Sequence, residues 1–466
     1  MPDRHTAHGY WLEEAGETEP LPPLEGSAGA DVVVIGGGYT GLWTAWWILE
    51  EAPDARVVLL EADLCGTGPS GRNGGFVNSM WFNLPAMSAR FGDDGALEVA
   101  RAARDAVHGI GRWCEEQEVD ASYRAGGYLQ VSTTPLHDDA WDRFARAAAA
   151  HGEPERCIPL EPEELRARCD SPLFRGGALY PDAATVQPAR LALGLRDRLV
   201  GRGASIHERS RVRAVHSAPT HVRVETEGGH VAAASAVLAV GGAAAGVPPL
   251  RRRLTLTSSH MVITEPVPDV LEEIGWTGGE AISDSRAMLH YLRTTPDGRI
   301  AFGWGGGAVV AGGRVGGRAE FDPAVVAEIE RHLVRFFPQL EGRRIEHAWG
   351  GPIDVSPTHL PVVGSLSGAR AHYTFGYTGN GVGPSHLIGR VLASLALGRR
   401  DRWTELPLVE HRSVRVPPEP LRYMGGTIVR RALLRKERLE EEGRRADPLT
   451  LAVAGLPERF GIRIGR

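Results

Sequence analysis

Cysteine is scarce in this sequence and falls into no pattern. Cys65, Cys114, Cys157 and Cys169 are the four cysteines, and none stands in a Cys-x-x-Cys pair. Such thiols read as reduced, in a cytoplasmic protein, with no disulfide framework. The 17 histidines form no His-Glu-x-x-His-like cluster, so no metal is expected. No apolar run is long enough to span a bilayer, and the first twenty or so residues lack the apolar core of a signal peptide. Neither stable membrane insertion nor secretion is therefore expected. The net charge of −6 offers no basic surface for nucleic acid. Lysine is almost missing: Lys436 is the single lysine among 52 basic residues.

Glycine, by contrast, is abundant and concentrated in phrases. Asp31 to Ile35 is a short apolar run suited to a buried parallel strand. It leads into Gly36-x-Gly38-x-x-Gly41, with Tyr39 and Thr40 inside the phrase. Gly36 permits the turn, Gly38 lets backbone approach a pyrophosphate, and Gly41 lets helix pack on strand. The helix N-terminus then presents free N–H groups and a partial positive charge to phosphates. Arg56 to Leu60 reads as the next strand and ends at Glu61, about twenty residues after Gly41, where an acid accepts hydrogen bonds from ribose hydroxyls. Strand, turn, helix, strand and acid in order point to a dinucleotide and do not separate FAD from NAD.

Two further phrases bear on that choice. Ser70-Gly-Arg72-Asn73-Gly74-Gly75 is a second glycine-dense loop, where backbone can pass close to a flat ring system and Arg72 and Asn73 can donate hydrogen bonds. Near the other end, Phe375-Gly376-Tyr-Thr-Gly379-Asn380-Gly381-Val382-Gly383 reads as a strand end, a glycine turn and the start of an apolar-faced helix running to about Leu397. A helix N-terminus there suits the negative charge of a reduced flavin. An ordinary strand-to-helix connection fits that phrase equally well when it is taken alone.

Between these phrases, helices are expected over 93–118, 138–150, 188–203 and 323–337. Strands are expected at Gly127–Ser132, Ala204–Glu208, Val212–Val215, His221–Thr226, Ala236–Val240, Ser259–Glu265, Met288–Thr294 and Ile300–Trp304. Gly241 follows the Ala236–Val240 strand, at the end where ligand loops cluster. Residues 1–29 read as a polar, proline-bearing leader. Past Pro417, a charged helix over 427–443 carries a narrow apolar stripe of Ile428, Ala432 and Leu439. That helix is expected to dock on its own domain, with a subunit contact second and a membrane-surface helix last, because Glu437 and Glu440–Glu442 oppose anionic lipid.

Over roughly residues 10–400 the chain resembles the FAD-dependent oxidoreductases of the D-amino-acid oxidase family, most closely the γ-glutamylputrescine oxidase-like branch. The residues that carry the resemblance are Gly36–Gly41, Glu61, Ser70–Gly75, Val237–Gly242, Asp297–Gly303, Trp349–Gly351 and Gly376–Gly383. The resemblance implies an α/β chain (α+β overall), with a Rossmann-like FAD-binding domain and a discontinuous mixed β-sheet substrate domain. The FAD-binding parts would be 30–90, 151–245 and 344–400, the substrate parts 91–150 and 246–343, and 401–466 a helical tail. Backbone near Val212 would meet the adenine. The implied reaction is oxidation of a carbon–nitrogen bond of an amine or amino acid, with hydride passing from the α-carbon to flavin N5. Electrons would go to O2 or another acceptor, and an oligomer is compatible with the text.

Candidates for the substrate wall are Tyr291 and Arg293, which alternation puts on one strand face, and His260. Arg293 suits a carboxylate bidentately; a solvated strand arginine fits the text as well. His290, Trp304 and His359 carry less weight. Two departures from the family pattern matter. Sarcosine-oxidase relatives attach flavin through a cysteine in the region of Trp349 to Pro357, and others through a histidine near the Arg72–Asn73 loop. This sequence has neither, which implies non-covalent FAD. Relatives that use a lysine beside flavin N5 to promote oxygen reaction find no counterpart here, so an oxidase, a dehydrogenase coupled to a quinone or electron-transfer partner, and a non-catalytic flavin-binding protein all stay open.

Overall fold

The computed structural model describes residues 9–313, 317–366, 370–411 and 413–464. Gly26–Ile35 is the axis of the first sheet, pairing in parallel with Val57–Leu60 on one side and Gly229–Leu238 on the other. The spatial order is Val362–Ser365, Ala371–Phe375, Gly229–Leu238, Gly26–Ile35, Val57–Leu60, Ser205–His207. Val222–Thr226 and Val212–Ser217 continue from Gly229–Leu238 as an antiparallel meander. All four residues of Val57–Leu60 are buried, as a parallel strand covered on both faces requires. The helices Tyr39–Glu51 and Val382–Ala396 cover one face with Leu42, Trp43 and Ile388, each 0% exposed.

The second sheet runs Ile345–Val355, Thr255–Thr264, Ile300–Trp304, His290–Thr294, Ala281–Asp284, Tyr128–Ser132, Gly176–Tyr180, Ile158–Leu160. The Pro323–Phe336 helix packs against it, placing Phe336 among Phe302, Phe174 and Trp276 in a separate core. This is the expected α/β architecture with a discontinuous mixed second sheet. No helix among the described residues is long and apolar enough to cross a membrane.

Several expected boundaries move. Ile158–Leu160 and Gly176–Tyr180 lie within 151–245, and Ile345–Val355 within 344–400, yet all three belong to the second sheet. The cause is pairing: Ile345–Val355 lies antiparallel along the whole of Thr255–Thr264, and Gly176–Tyr180 along Tyr128–Ser132. The described part of the leader is also built in. Gly26 to Ala30 extends the first strand against Gly229 to Ala233, and a short Tyr10–Ala15 helix buries Trp11 beside Trp349. The helix expected from residue 93 follows a break at Gly92 (φ +74) and runs to Glu116; a short helix from Leu84 precedes the break.

The tail helix covers Leu421–Glu441 and docks on the second domain. Its buried positions are Val429, Leu433, Glu437 and Glu440, whereas Ile428 is 54% exposed. The face is rotated from the apolar stripe expected because buried polar partners decide it. Glu437 accepts a hydrogen bond from the Met288 N–H at 2.9 Å, and Glu441 pairs with Arg286.

Candidate cofactor and substrate site

At Gly36 the chain leaves the first strand with φ +110, a backbone open to glycine. A Cβ there would lie 2.4 Å from the Ala239 carbonyl oxygen, and one on Gly41 only 1.9 Å from the Gly36 oxygen. The helix that follows starts from Gly38, which offers no side-chain cap; Ser70 takes the Tyr39 N–H, and the N–H groups of Thr40 and Gly41 behind it keep their capacity for an anion. Glu61 ends the Val57–Leu60 strand with Oε2 accepting from the Gly37 N–H at 2.6 Å and Oε1 from the Asp63 N–H at 2.9 Å. Burial raises its carboxyl above the usual range, which those N–H groups partly offset.

The two ends of the chain meet at this cradle. Thr40 Oγ1 lies 2.8 Å from the Tyr377 hydroxyl, a direct bond between the N-terminal and C-terminal glycine phrases. Gly389 sits where a Cβ would be 2.6 Å from Trp43 Cβ, so the two helices touch backbone to side chain. Ser70 Oγ accepts from the Tyr39 N–H at 2.9 Å and ties in the second glycine loop. Asn73, expected as a donor, spends its donors on closing that loop. Its amide nitrogen donates to the Ser70 and Pro69 carbonyls, and its oxygen accepts from the Gly75 N–H.

Asp354 was not singled out in the sequence and proves central. Half-buried on the Ile345–Val355 strand, it accepts from the Gly376 N–H at 2.6 Å and so pins the C-terminal turn. Burial lifts its carboxyl to about 6, against the backbone N–H groups that lower it. An acid inside a Gly-Pro-Ile-Asp-Val run was the available signal.

These pieces enclose a cavity of about 970 Å³, at the upper end of small-molecule sites. Gly36, Gly38, Tyr39, Thr40, Glu61, Ser70, Arg72, Asn73 and Gly74 line it, as do Val212, Gly241, Gly379, Asn380, Gly381 and Val382. Gly41, Gly75 and Gly376 stand behind the lining as packing glycines; at Gly376 (φ +83) a Cβ would meet Ser356 Cβ at 2.7 Å.

The second sheet and the tail supply the other wall. Tyr291 lines it with its hydroxyl 2.8 Å from Ser259 Oγ, and burial pushes the phenol up to about 12. Gly303 leaves room for that ring, since a Cβ there would fall 2.2 Å from Tyr291 Cζ. Met261, Met288, Leu289 and His359 are also in the lining. The two other substrate candidates are not. Arg293 shares the strand face with Tyr291, but its guanidinium is consumed by the Val186 and Thr294 carbonyls and lies over Trp11 at 5.3 Å. His260 is 0% exposed, with Nε2 accepting from the Asp322 N–H. His290 and Trp304 pack into the second core, where His290 bonds Asp284 at 2.6 Å and His332 at 2.7 Å. The tail, by contrast, reaches the cavity: Val429, Arg430, Leu433, Phe460, Arg463 and Ile464 all line it. Nothing local in the sequence marks that reach, because it depends on where a remote segment docks.

The residues fit a large anionic dinucleotide. Besides the helix start and the glycine clearances, the lining carries buried polar atoms with no hydrogen-bond partner among the described residues, Arg72 Nε and Asn78 Oδ1 among them. Such atoms are rare in a finished structure and mark places where a bound group completes the hydrogen bonding. Among the described residues no group of three or more His, Cys, Asp or Glu is placed to hold a metal ion.

A family model described as FAD dependent oxidoreductase (DAO) matches residues 31–395. The γ-glutamylputrescine oxidoreductase of Escherichia coli (strain K12) is 30% identical over 431 residues, covering 89% of this chain and 95% of that protein. A probable oxidoreductase OrdL of Rhizobium meliloti (strain 1021) is 28% identical, covering 91% and 95%. Among solved structures, glycine oxidase from Geobacillus kaustophilus superposes with a TM-score of 0.66 at 20% identity, covering 83% of this chain and all (100%) of that one. A glycine cradle at one end, a returning glycine turn at the other and a family match spanning both lead to one assignment: the chain belongs to the DAO family of FAD-dependent oxidoreductases and uses FAD.

Proposed function

We propose that this enzyme oxidises the carbon–nitrogen bond of an amine or amino acid. The observation that carries the reading is one continuous cavity with the dinucleotide cradle on one side and Tyr291, Met261 and the tail on the other. Gly36 to Thr40, Glu61, Val212 and Gly241 would hold the dinucleotide portion, and Arg72, Gly74 and Gly379 to Val382 the ring system. When bound, FAD supplies a two-electron acceptor for hydride from the substrate α-carbon, and the imine left behind hydrolyses in water. The chain's task is to orient the amine and exclude water. The half-buried Tyr291 phenol stays protonated at neutral pH, with its hydroxyl 2.8 Å from Ser259 Oγ. No lining carboxylate is placed as a strong base: Glu61 and Asp354 are both tied to backbone N–H groups of glycine turns.

The test is anaerobic addition of γ-glutamylputrescine, sarcosine, D-amino acids and larger secondary amines to the yellow holoenzyme. Loss of the oxidised-flavin band with at least one of them is expected; no bleaching by any amine overturns the reading. A dehydrogenase is the second reading, favoured by the single lysine, which sits on the tail paired with Glu440 at 2.9 Å. Reoxidation of the reduced enzyme by a quinone but not by O2 would select it.

The FAD is proposed to be non-covalent. All four cysteines are buried and none lines the cavity, and the loop by the ring carries Arg72 and Asn73 rather than histidine. Acid precipitation is expected to leave the flavin in the supernatant; a yellow pellet would refute this.

A further inference from the structure

We propose that Arg463, in the C-terminal tail, is the anion-binding end of the substrate pocket and pairs with a carboxylate carried by the amine. The inference rests on the amine-oxidising reading above and concerns which amines enter.

Elimination among the arginines around the cavity leads there. Arg72 spends its guanidinium on the Gly350 carbonyl at 2.6 Å, with Glu320 at 3.8 Å. Arg422 pairs with Glu419 and donates to the Arg251 and Leu254 carbonyls. Arg430 clamps the Gly306 and Gly307 carbonyls and so fastens the tail to the second domain. Arg211 is exposed to solvent beside Val212. Arg293, the strand arginine that the sequence offers for a carboxylate, is sealed behind the wall on backbone carbonyls.

Arg463 differs from all of these. It lines the cavity and is half-buried, and its backbone is fixed by donation to the Pro357 carbonyl at 2.8 Å. Its Nη1 meets only the neutral Asn83 Oδ1, at 3.2 Å. Among the described residues no Asp or Glu forms an ion pair with it. A cation withdrawn from water without a counter-charge is costly, and an arriving carboxylate relieves that cost. Burial, with the charge of Arg143 added, weakens the guanidinium's hold on its proton, the electrostatic mark of a site short of an anion. The guanidinium fork suits a carboxylate, and Asn83, itself 6% exposed, can offer an amide N–H to the same ligand. Next to Arg463, Phe460 and Ile464 give the cavity apolar walls, so the pocket takes a carbon chain with an anionic terminus.

Two measurements on the holoenzyme test this. The first uses glutarate, a carboxylate with no amine to oxidise, and reads its perturbation of the flavin spectrum. Arg463→Gln is expected to raise the glutarate Kd by about 10- to 100-fold, the range of a lost charge-assisted bond, with Arg463→Lys recovering part of it. The second compares the best amine of the panel with its methyl ester. The preference for the free carboxylate should shrink in Arg463→Gln by a similar factor, mainly through KM. An unchanged glutarate Kd, or FAD lost from Arg463→Gln, overturns the proposal. If no amine reduces the wild-type flavin, the reaction assignment fails, while the glutarate titration still decides the role of Arg463.

Discussion

Replacing Gly41 with alanine is expected to give a protein that purifies colourless, with less than about a tenth of the wild-type FAD content. The added Cβ would lie 1.9 Å from the Gly36 oxygen and 3.3 Å from Val34 Cγ1. Neither is a flexible side-chain end, so the Tyr39–Glu51 helix must move off the strand. Gly36 has little room to yield, because it turns with φ +110 and is itself close to the Ala239 carbonyl. The displacement withdraws the helix N-terminus from the pyrophosphate and separates Thr40 from Tyr377. Overpacking of this kind costs about 1–3 kcal/mol of stability, occasionally more. Flavin content by absorbance after denaturation, with thermal unfolding of the apoprotein, checks both parts. Ser70→Ala is the milder companion. It removes the oxygen that accepts from the Tyr39 N–H without a steric clash, and about tenfold weaker FAD binding is expected. Full FAD occupancy and affinity in Gly41→Ala would sever the cradle from the cofactor.

Arg286→Leu is expected to cost about 3–5 kcal/mol in denaturant unfolding and to loosen the tail. The Arg286 side chain is 4% exposed and joins two elements far apart in sequence: Nε lies 3.2 Å from Asp284 Oδ2, and Nη1 pairs with Glu441 of the tail helix. Burial works against its charge, yet Asp284 and Glu441 hold the guanidinium protonated more firmly than usual. Burial likewise pushes the Asp284 carboxyl up, but His290 and Arg286 bring it below the ordinary range. Taking out the arginine leaves the buried Asp284 and the half-buried Glu441, which keeps Arg335, near Glu437, whose own carboxyl burial has already lifted to about 7. The double variant Arg286→Leu with Asp284→Asn should be less destabilised than the sum of its parts, because the second change removes an orphaned charge. Tail release would appear as faster proteolysis within 421–441 and weaker substrate selectivity. A loss below about 1 kcal/mol would mean that the network behaves as a surface ion pair.

The two glycine phrases and the acid after the second strand were legible because their physics is local. A turn, a helix start and an acid at the strand end need only the residues in and beside them, and Gly36, Gly38, Thr40 and Glu61 all line the cavity. The sheet membership of Ile345–Val355 was not legible. An apolar strand serves either sheet, and its pairing with Thr255–Thr264 is chosen by partners about ninety residues away.

The side chains of the substrate wall were hidden for the same reason. Arg293 and Arg463 are chemically identical in the sequence, and local context favoured the strand residue. Tertiary structure reversed that order: two carbonyls satisfy Arg293 behind the wall, and docking of the tail carries Arg463 into the cavity beside Asn83. The sequence by itself determined the tight glycine turns near both ends of the chain, since backbone clearance at glycine is a property of each short phrase. Which charged groups face the cavity was decided only by tertiary structure, because a guanidinium's role depends on whether the fold supplies its acceptors or leaves that to a ligand.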